Sequence, residues 1–133
     1  MKTVKNSRTG FRTVATNMDD CSEAINAGDF SVATNTGNSS AATNTGFHSS
    51  AIATGEWSEA EVAGGGSVAI VTGNNSMAKA GLGSAIVIAE RGEFNGKIYP
   101  LINIKAAIVD GEKIKADTWY ELRNGEFKEV IIW

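Results

Sequence analysis

The chain has 133 residues, with 15 glycines, one proline, one cysteine and a formal net charge of −3. This composition argues against a nucleic-acid-binding protein, and the single Cys21 excludes an intrachain disulfide framework and a cysteine-based zinc site. No apolar run approaches the roughly 18 residues of a membrane helix, and no apolar stretch follows the basic start to form a signal peptide. We therefore expect no membrane insertion, and the compartment is left open.

A nine-residue repeat begins after a degenerate unit at residues 4–12. Each unit opens with Ser or Thr, has alanine at its third position and mostly has glycine at its seventh. The opening residues are Thr13, Ser22, Ser31, Ser40, Ser49, Ser58, Ser67 and Ser76. Six residues suit a short strand and three suit a turn, where we expect glycine to supply a positive φ. The pattern predicts a parallel β-solenoid or β-roll over residues 1–90.

Alternation along each strand places positions one, three and five of the unit on the same side. These positions carry Ser, Ala, and then Asn or a small apolar residue, as in Ser31, Ala33 and Asn35. A position held at alanine indicates a thin interior with no room for larger side chains. We expect the buried serines and asparagines to form ladders with their equivalents in neighbouring coils.

The outward positions two and four have a longer period of two units. The units that open at 13, 31, 49 and 67 present uncharged and mostly β-branched residues there, whereas the intervening units hold all the charges. If two repeats form one coil, these sets become two separate faces, and the apolar face needs a cover. We predict a homo-oligomer with an interface that consists of Val14, Thr16, Val32, Thr34, Ile52, Val68 and Ile70.

The repeat slips after Ser76, because the next unit opens eight residues later at Ser84. Residues 84–90 are predicted to form an apolar strand. Turn signals then separate further strand segments, which we place at 97–99, 102–109, 118–122 and 127–133. We predict that residues 91–133 form a small antiparallel β-meander that caps the solenoid, with bulk supplied by Trp119, Tyr120, Phe127 and Trp133.

Two resemblances add to this reading. The segment Ala33–Gly37 (ATNTG), its copy Ala42–Gly46 and the tail Val109–Tyr120 (VDGEKIKADTWY) resemble an uncharacterised family of bacterial and phage proteins. That likeness implies no particular activity. The segments Ser67–Ile70 and Ser49–Gly55 are similar to the head repeats of trimeric autotransporter adhesins, which are left-handed β-rolls that trimerise through one sheet. This second likeness implies a trimer of β-rolls.

The side chains of the turns offer few candidates for chemistry. His48, the only histidine, follows Phe47, and we interpret it as a solvated turn residue rather than a catalytic base. No carboxylate recurs in the turns as calcium binding would require. We predict no catalytic residue, metal or cofactor. The aromatic turn residues Phe30, Phe47 and Trp57 are expected to be exposed. We expect them either to line a partner or glycan surface or to pack on a neighbouring subunit.

These features predict a non-enzymatic structural or adhesive module that works as an oligomer in a phage or bacterial surface assembly. The alternative is a free-standing glycan- or protein-binding module that uses its outward β face. The mass of the protein in solution distinguishes the two.

Overall fold

The computed structural model describes residues 5–131, which contain β-strands and no helix. This confirms the predicted all-β class. The strands are β1 Lys5–Arg8, β2 Val14–Asn17, β3 Glu23–Asn26, β4 Val32–Asn35, β5 Ala41–Asn44, β6 Ser50–Ala53, β7 Glu59–Val62, β8 Val68–Val71, β9 Met77–Ala80, β10 Ala85–Arg91, β11 Leu101–Ile108, β12 Tyr120–Arg123 and β13 Glu126–Glu129.

Successive strands from β1 to β9 alternate between two sheets. Sheet A has the order β1-β3-β5-β7-β9-β12-β13, and sheet B has the order β11-β10-β8-β6-β4-β2. Each strand from β1 to β7 pairs in parallel with the strand 18 residues further on, so that Ala33 lies opposite Ala51 and Ala42 opposite Ala60. One coil therefore consists of two repeats, and about four coils form the predicted β-solenoid.

The interior consists of small side chains from both sheets. Every alanine at the third position of the repeat is buried, from Ala15 to Ala78. The serine at the first position is also buried, whereas the outward positions of β3 to β9 are half-buried by their neighbours in the adjacent coils. The alternation read from the sequence is thus confirmed, and the small residues let the two sheets approach closely.

The serines form the expected ladder. The backbone N–H of Ser22 donates to Oγ of Ser40 at 3.2 Å, and the N–H of Ser31 donates to Oγ of Ser49 at 3.1 Å. The ladder continues to the last coil, where the N–H of Ser67 donates to Oγ of Ser84 at 3.1 Å. Each buried serine hydroxyl from Ser31 to Ser84 thereby accepts a hydrogen bond from the coil before it, which removes the penalty of burying a polar group.

The asparagines behave differently from the prediction of a ladder. Nδ2 of Asn35 in sheet B donates to the carbonyl oxygens of Ser22 and Ala41, both at 3.1 Å. Its Oδ1 accepts from the N–H of Gly37 at 3.0 Å. Because Ala41 belongs to sheet A and Ser22 directly precedes a strand of it, the side chain crosses the interior and ties the two sheets together.

The repeated glycines are explained by space rather than by backbone conformation. The prediction that they supply a positive φ is wrong, since positive φ falls two residues later, at residues such as Phe30 (54°) and Trp57 (56°). A Cβ on Gly46 would lie 2.0 Å from the carbonyl oxygen of Gly28 in the preceding coil. Only glycine lets the coils stack this closely at the turn.

The C-terminal strands extend both sheets. The antiparallel pairing is confirmed, because β11 pairs with β10 in sheet B and β12 pairs with both β9 and β13 in sheet A. The strands therefore do not form one meander, and residues 97–99 are not a strand. The β12–β13 turn has positive φ at Asn124 (52°) and Gly125 (77°), as its sequence predicts. The predicted Trp133 contribution, like Val4 at the solenoid start, lies outside the described residues.

The Glu90 carboxylate links three parts of the C-terminal region, namely β10, β11 and the β12–β13 turn. Glu90 on β10 accepts from Nδ2 of Asn103 at 2.8 Å and from the N–H groups of Asn124 and Gly125 at 2.7 and 2.9 Å. These hydrogen bonds, that from Asn103 foremost, lower the pKa of Glu90. Beneath them, Tyr120 and Leu122 pack into the same core as Ile86 and supply the bulk that the coils lack.

Ala42→Leu is expected to lower the free energy of unfolding by about 2 kcal/mol, because overpacking a filled core displaces its neighbours. Ala42 is fully buried between two sheets of small residues. Urea unfolding followed by circular dichroism measures the change. The control Thr43→Leu adds an apolar side chain on the outer side of the same strand and should change stability little, so equal losses in both variants would contradict the thin interior.

Candidate functional site: an uncharged sheet face

The outer face of sheet B, called face B below, brings together the seven predicted interface residues. Strand register places Val14, Val32 and Val68 in one row and the fourth-position residues in another. None of the described residues on face B is charged. Its members are Val14, Thr16, Val32, Thr34, Ser50, Ile52, Val68, Ile70, Ala85, Val87, Ile104, Ala106 and Ile108.

Face B is larger than the sequence analysis predicted, because β11 adds a sixth strand. Ile104 pairs with Ala89 and Ile108 pairs with Ala85, so both isoleucines project on the outer side. Ile104 is 60% exposed and Ile108 is 69% exposed. The alternation of isoleucines in this strand was the available signal, but only its pairing with β10 shows that they continue this face.

The outer face of sheet A, called face A, is charged. It carries Glu23, Glu59, Glu61 and Lys79, and Nζ of Lys79 lies 3.4 Å from Oε2 of Glu61. Burial foremost, and then the Glu61 carboxylate, raise the pKa of Glu59, whereas Lys79 opposes this shift. The two faces of one narrow solenoid therefore differ sharply in charge, as the period of two units predicts.

Glu59→Gln is expected to raise the midpoint of thermal unfolding at pH 7 and to lose this advantage in acid. Because the pKa of Glu59 is higher in the folded chain than in the unfolded chain, its contribution to stability is present below the unfolded value and is lost as the pH rises through the folded value. Thermal unfolding between pH 3 and 7 measures the difference. Glu112→Gln, which removes an exposed carboxylate in the C-terminal loop, is the control and should leave the midpoint unchanged.

The turns form two edges that border face B. Edge 1 contains the turns 18–21, 36–39, 54–57 and 72–75, and edge 2 contains the turns 9–12, 27–30, 45–48 and 63–66. Within each edge the turns stack through backbone hydrogen bonds, such as N–H of Cys21 to the Asn38 carbonyl at 2.9 Å. The predicted exposure of Phe30, Phe47 and Trp57 is confirmed.

Edge 2 carries a stack of rings. The ring centroids of Phe11 and Phe30 are 5.3 Å apart, and those of Phe30 and His48 are 5.4 Å apart. The Arg12 guanidinium lies 5.1 Å from the Phe11 ring centroid. His48 is thus an exposed turn residue, as predicted, and it packs on a neighbouring coil.

A shallow cleft of about 310 Å³ lies between edge 1 and the β10–β11 loop. Arg91 forms part of its wall and donates from Nε to the Thr72 carbonyl at 2.7 Å and from Nη1 to the Tyr99 carbonyl at 3.0 Å. Phe94 and Tyr99 pack beside it with centroids 5.2 Å apart. The sequence analysis missed this cleft, because it depends on how the loop folds back on the coils.

Residues 5–131 contain no group of three or more His, Cys, Asp or Glu side chains placed to hold a metal ion. Nor does any described segment form a helix that is long and apolar enough to cross a membrane. No family model matches the chain, and no curated protein and no solved structure is significantly similar to it. The fold defines the chain as a β-solenoid protein, and the two resemblances seen in the sequence stay predictions.

Proposed function

We propose that the protein is a non-enzymatic structural or adhesive module in which three copies assemble through face B. The observation that carries the proposal is the contrast in charge between the two faces. Face B is uncharged across six strands, whereas face A carries several ionised groups. Burial of an apolar face against identical faces is favourable by about 25 cal/mol per Å² and meets no like-charge repulsion.

The width of face B supports three copies. Four residues of a strand span about 13 Å, at roughly 3.3 Å per residue. Three faces of this width, arranged as a triangular prism, leave about 4 Å from the axis to each backbone sheet. Facing sheets pack about 10 Å apart, so the side chains of each sheet fill about 5 Å. Valine, isoleucine and threonine side chains therefore fill the space along such an axis without a channel.

The setting that we propose is a phage or bacterial surface assembly, where rigid repeats hold exposed turns in fixed positions. The sequence likenesses to phage proteins and to adhesin heads support this setting. The exposed rings at both edges are surfaces of the kind that contact other macromolecules, since aromatic residues are enriched in protein interfaces.

Light scattering behind a sizing column tests the proposal. The chain has a mass of 13.9 kDa, and we expect a stable mass of about three chains that does not change on dilution through the micromolar range. A monomer at all concentrations would contradict it. Face B would then be an open surface, and the alternative, a free-standing glycan- or protein-binding module, would become the better proposal.

A further inference from the structure

The cleft between edge 1 and the β10–β11 loop, called the loop cleft below, combines aromatic rings with polar groups. Its volume of about 310 Å³ is at the lower end of the range for small-ligand sites. Phe94 and Tyr99 line it, and Phe94 stays 55% exposed although it packs on Tyr99. The rings therefore offer an exposed apolar surface to a small ligand.

Two cationic side chains, Arg91 and Lys97, line the loop cleft without an anionic partner. The ion pairs within residues 5–131 all involve other residues. Arg91 donates only to neutral groups, the carbonyl oxygens of Thr72 and Tyr99, and these bonds use two of the five N–H donors of a guanidinium. Lys97 is exposed. The cleft thus holds two positive charges and spare donors for an anion.

A hydrogen-bond ladder along edge 1 stops at the loop cleft. Oδ1 of Asp20 accepts from the N–H of Asn38 at 2.9 Å, and Oδ1 of Asn38 accepts from the N–H of Glu56 at 3.0 Å. The longer Glu56 side chain does not repeat this contact, and no described residue accepts from the N–H or the side-chain amide of Asn74. Because Asn74 lines the cleft, these donors are available to a ligand there.

The loop that borders the cleft is held in shape by its own hydrogen bonds. Oδ1 of Asn95 accepts from the N–H groups of Lys97 and Ile98, both at 3.0 Å. The N–H of Gly92 donates to the carbonyl oxygen of Pro100 at 2.8 Å and closes the base of the loop. A loop that is fixed in this way loses little conformational entropy when a ligand binds.

These features together match an acidic sugar. The C–H groups of a sugar ring pack on the electron-rich faces of aromatic rings, and sugar hydroxyls both donate and accept hydrogen bonds. The loop cleft has rings for the first contact. For the second it has donors on Asn74 and an acceptor on Glu56, the one acidic residue that lines it. A carboxylate on the sugar would pair with the two cations, since guanidinium and ammonium groups bind carboxylates.

We propose that the loop cleft binds a carboxylate-bearing sugar, with its carboxylate paired to Arg91 and Lys97 and its ring against Phe94. The proposal rests on the adhesive role proposed above and names the chemical class to which the module adheres. All the residues of the cleft belong to one chain, and they lie at or past the C-terminal ends of β6, β8 and β10. Binding therefore needs no second copy.

An amide NMR titration of the isotope-labelled protein tests the site. The probes are trigalacturonic acid, a hyaluronan tetrasaccharide and sialyllactose, with lactose as the neutral control. We expect an acidic probe to shift the amide resonances of Asn74, Phe94 and Lys97 saturably, and lactose to bind about tenfold more weakly because it lacks the carboxylate. The Asn38 amide, which is paired in the ladder, should stay unshifted. If no acidic probe shifts these resonances, or if lactose binds as tightly, the proposal is wrong.

Two variants with matched controls locate the contacts. Lys97→Gln is expected to raise the dissociation constant of the acidic probe about threefold, as the loss of an exposed ion pair does. Lys113→Gln removes an exposed charge from another loop and should not change it. Phe94→Ala should raise the dissociation constant about tenfold through loss of the ring contact. Phe47→Ala, which removes an exposed ring from edge 2, is its control. Equal effects of a variant and its control would contradict the assigned contacts.

The outcomes separate the two proposals. A wild-type trimer that binds no acidic probe would overturn the sugar site and leave assembly through face B intact. A monomeric wild type that binds an acidic probe at the loop cleft would overturn the trimer and leave the sugar site intact.

Discussion

Replacing Gly46 by alanine is expected to lower the free energy of unfolding by about 3 kcal/mol, the largest loss that we predict for a single methyl group. The added Cβ would lie 2.0 Å from the carbonyl oxygen of Gly28 and 2.5 Å from its carbonyl carbon. Both atoms belong to the backbone of the neighbouring coil, so neither can move without breaking the stacking of the turns. Urea unfolding followed by circular dichroism gives the value.

Gly65→Ala is the matched control for this experiment. Gly65 is a glycine in the next turn of edge 2, but its added Cβ would lie 3.8 Å from the flexible ring of Phe47. We expect a change within about 0.5 kcal/mol, as for most surface substitutions. If Gly46→Ala were equally neutral, the close approach of the coils would not be what requires glycine.

The double variant Val32→Asp/Val68→Asp is expected to convert the proposed trimer to monomers. Both valines lie in one row of face B, on either side of Ser50. A trimer would bring six carboxylates to its axis, where each loses water and gains no partner, and breaking up the assembly is then cheaper than burying them. Light scattering measures the mass, and circular dichroism shows whether the solenoid stays folded.

Ile25→Asp provides the control on the other sheet. Ile25 occupies the outward fourth position of β3, between Ser7 and Thr43 of its neighbouring strands. The same new charge there faces solvent in the proposed assembly, so the mass should stay at three chains. A Val32→Asp/Val68→Asp variant that remains trimeric would show that face B does not form the contact.

Much of the solenoid is readable from the chain itself. The nine-residue period, with Ala33 and Ala42 at equivalent places, specifies short strands, and the period of two units in the outward charges specifies two faces. These features are local, because the side of a strand on which a residue lies depends only on its position in the alternation. The predicted interface residues therefore fall on one face without any knowledge of tertiary contacts.

Other features depend on contacts between residues that are distant in sequence. Glycine is required at position 46 because a carbonyl group 18 residues earlier lies against it. The side chain of Asn35, in sheet B, donates its hydrogen bonds across the interior to carbonyl groups on the side of sheet A. Glycine also commonly occurs in turns with a positive φ, and asparagine also commonly forms ladders between coils. The sequence contains no signal that distinguishes these common roles from the observed ones.

The C-terminal region shows the same division. Its strands and its Asn124-Gly125 turn follow from local sequence, but β11 joins sheet B while β12 and β13 join sheet A. That choice places Ile104 and Ile108 on face B and folds the Arg91 loop against edge 1. By itself the sequence determined the coil, its period and its two faces, because these repeat locally. Only the tertiary structure decided which sheet each closing strand extends, because that depends on which open edge its backbone can reach.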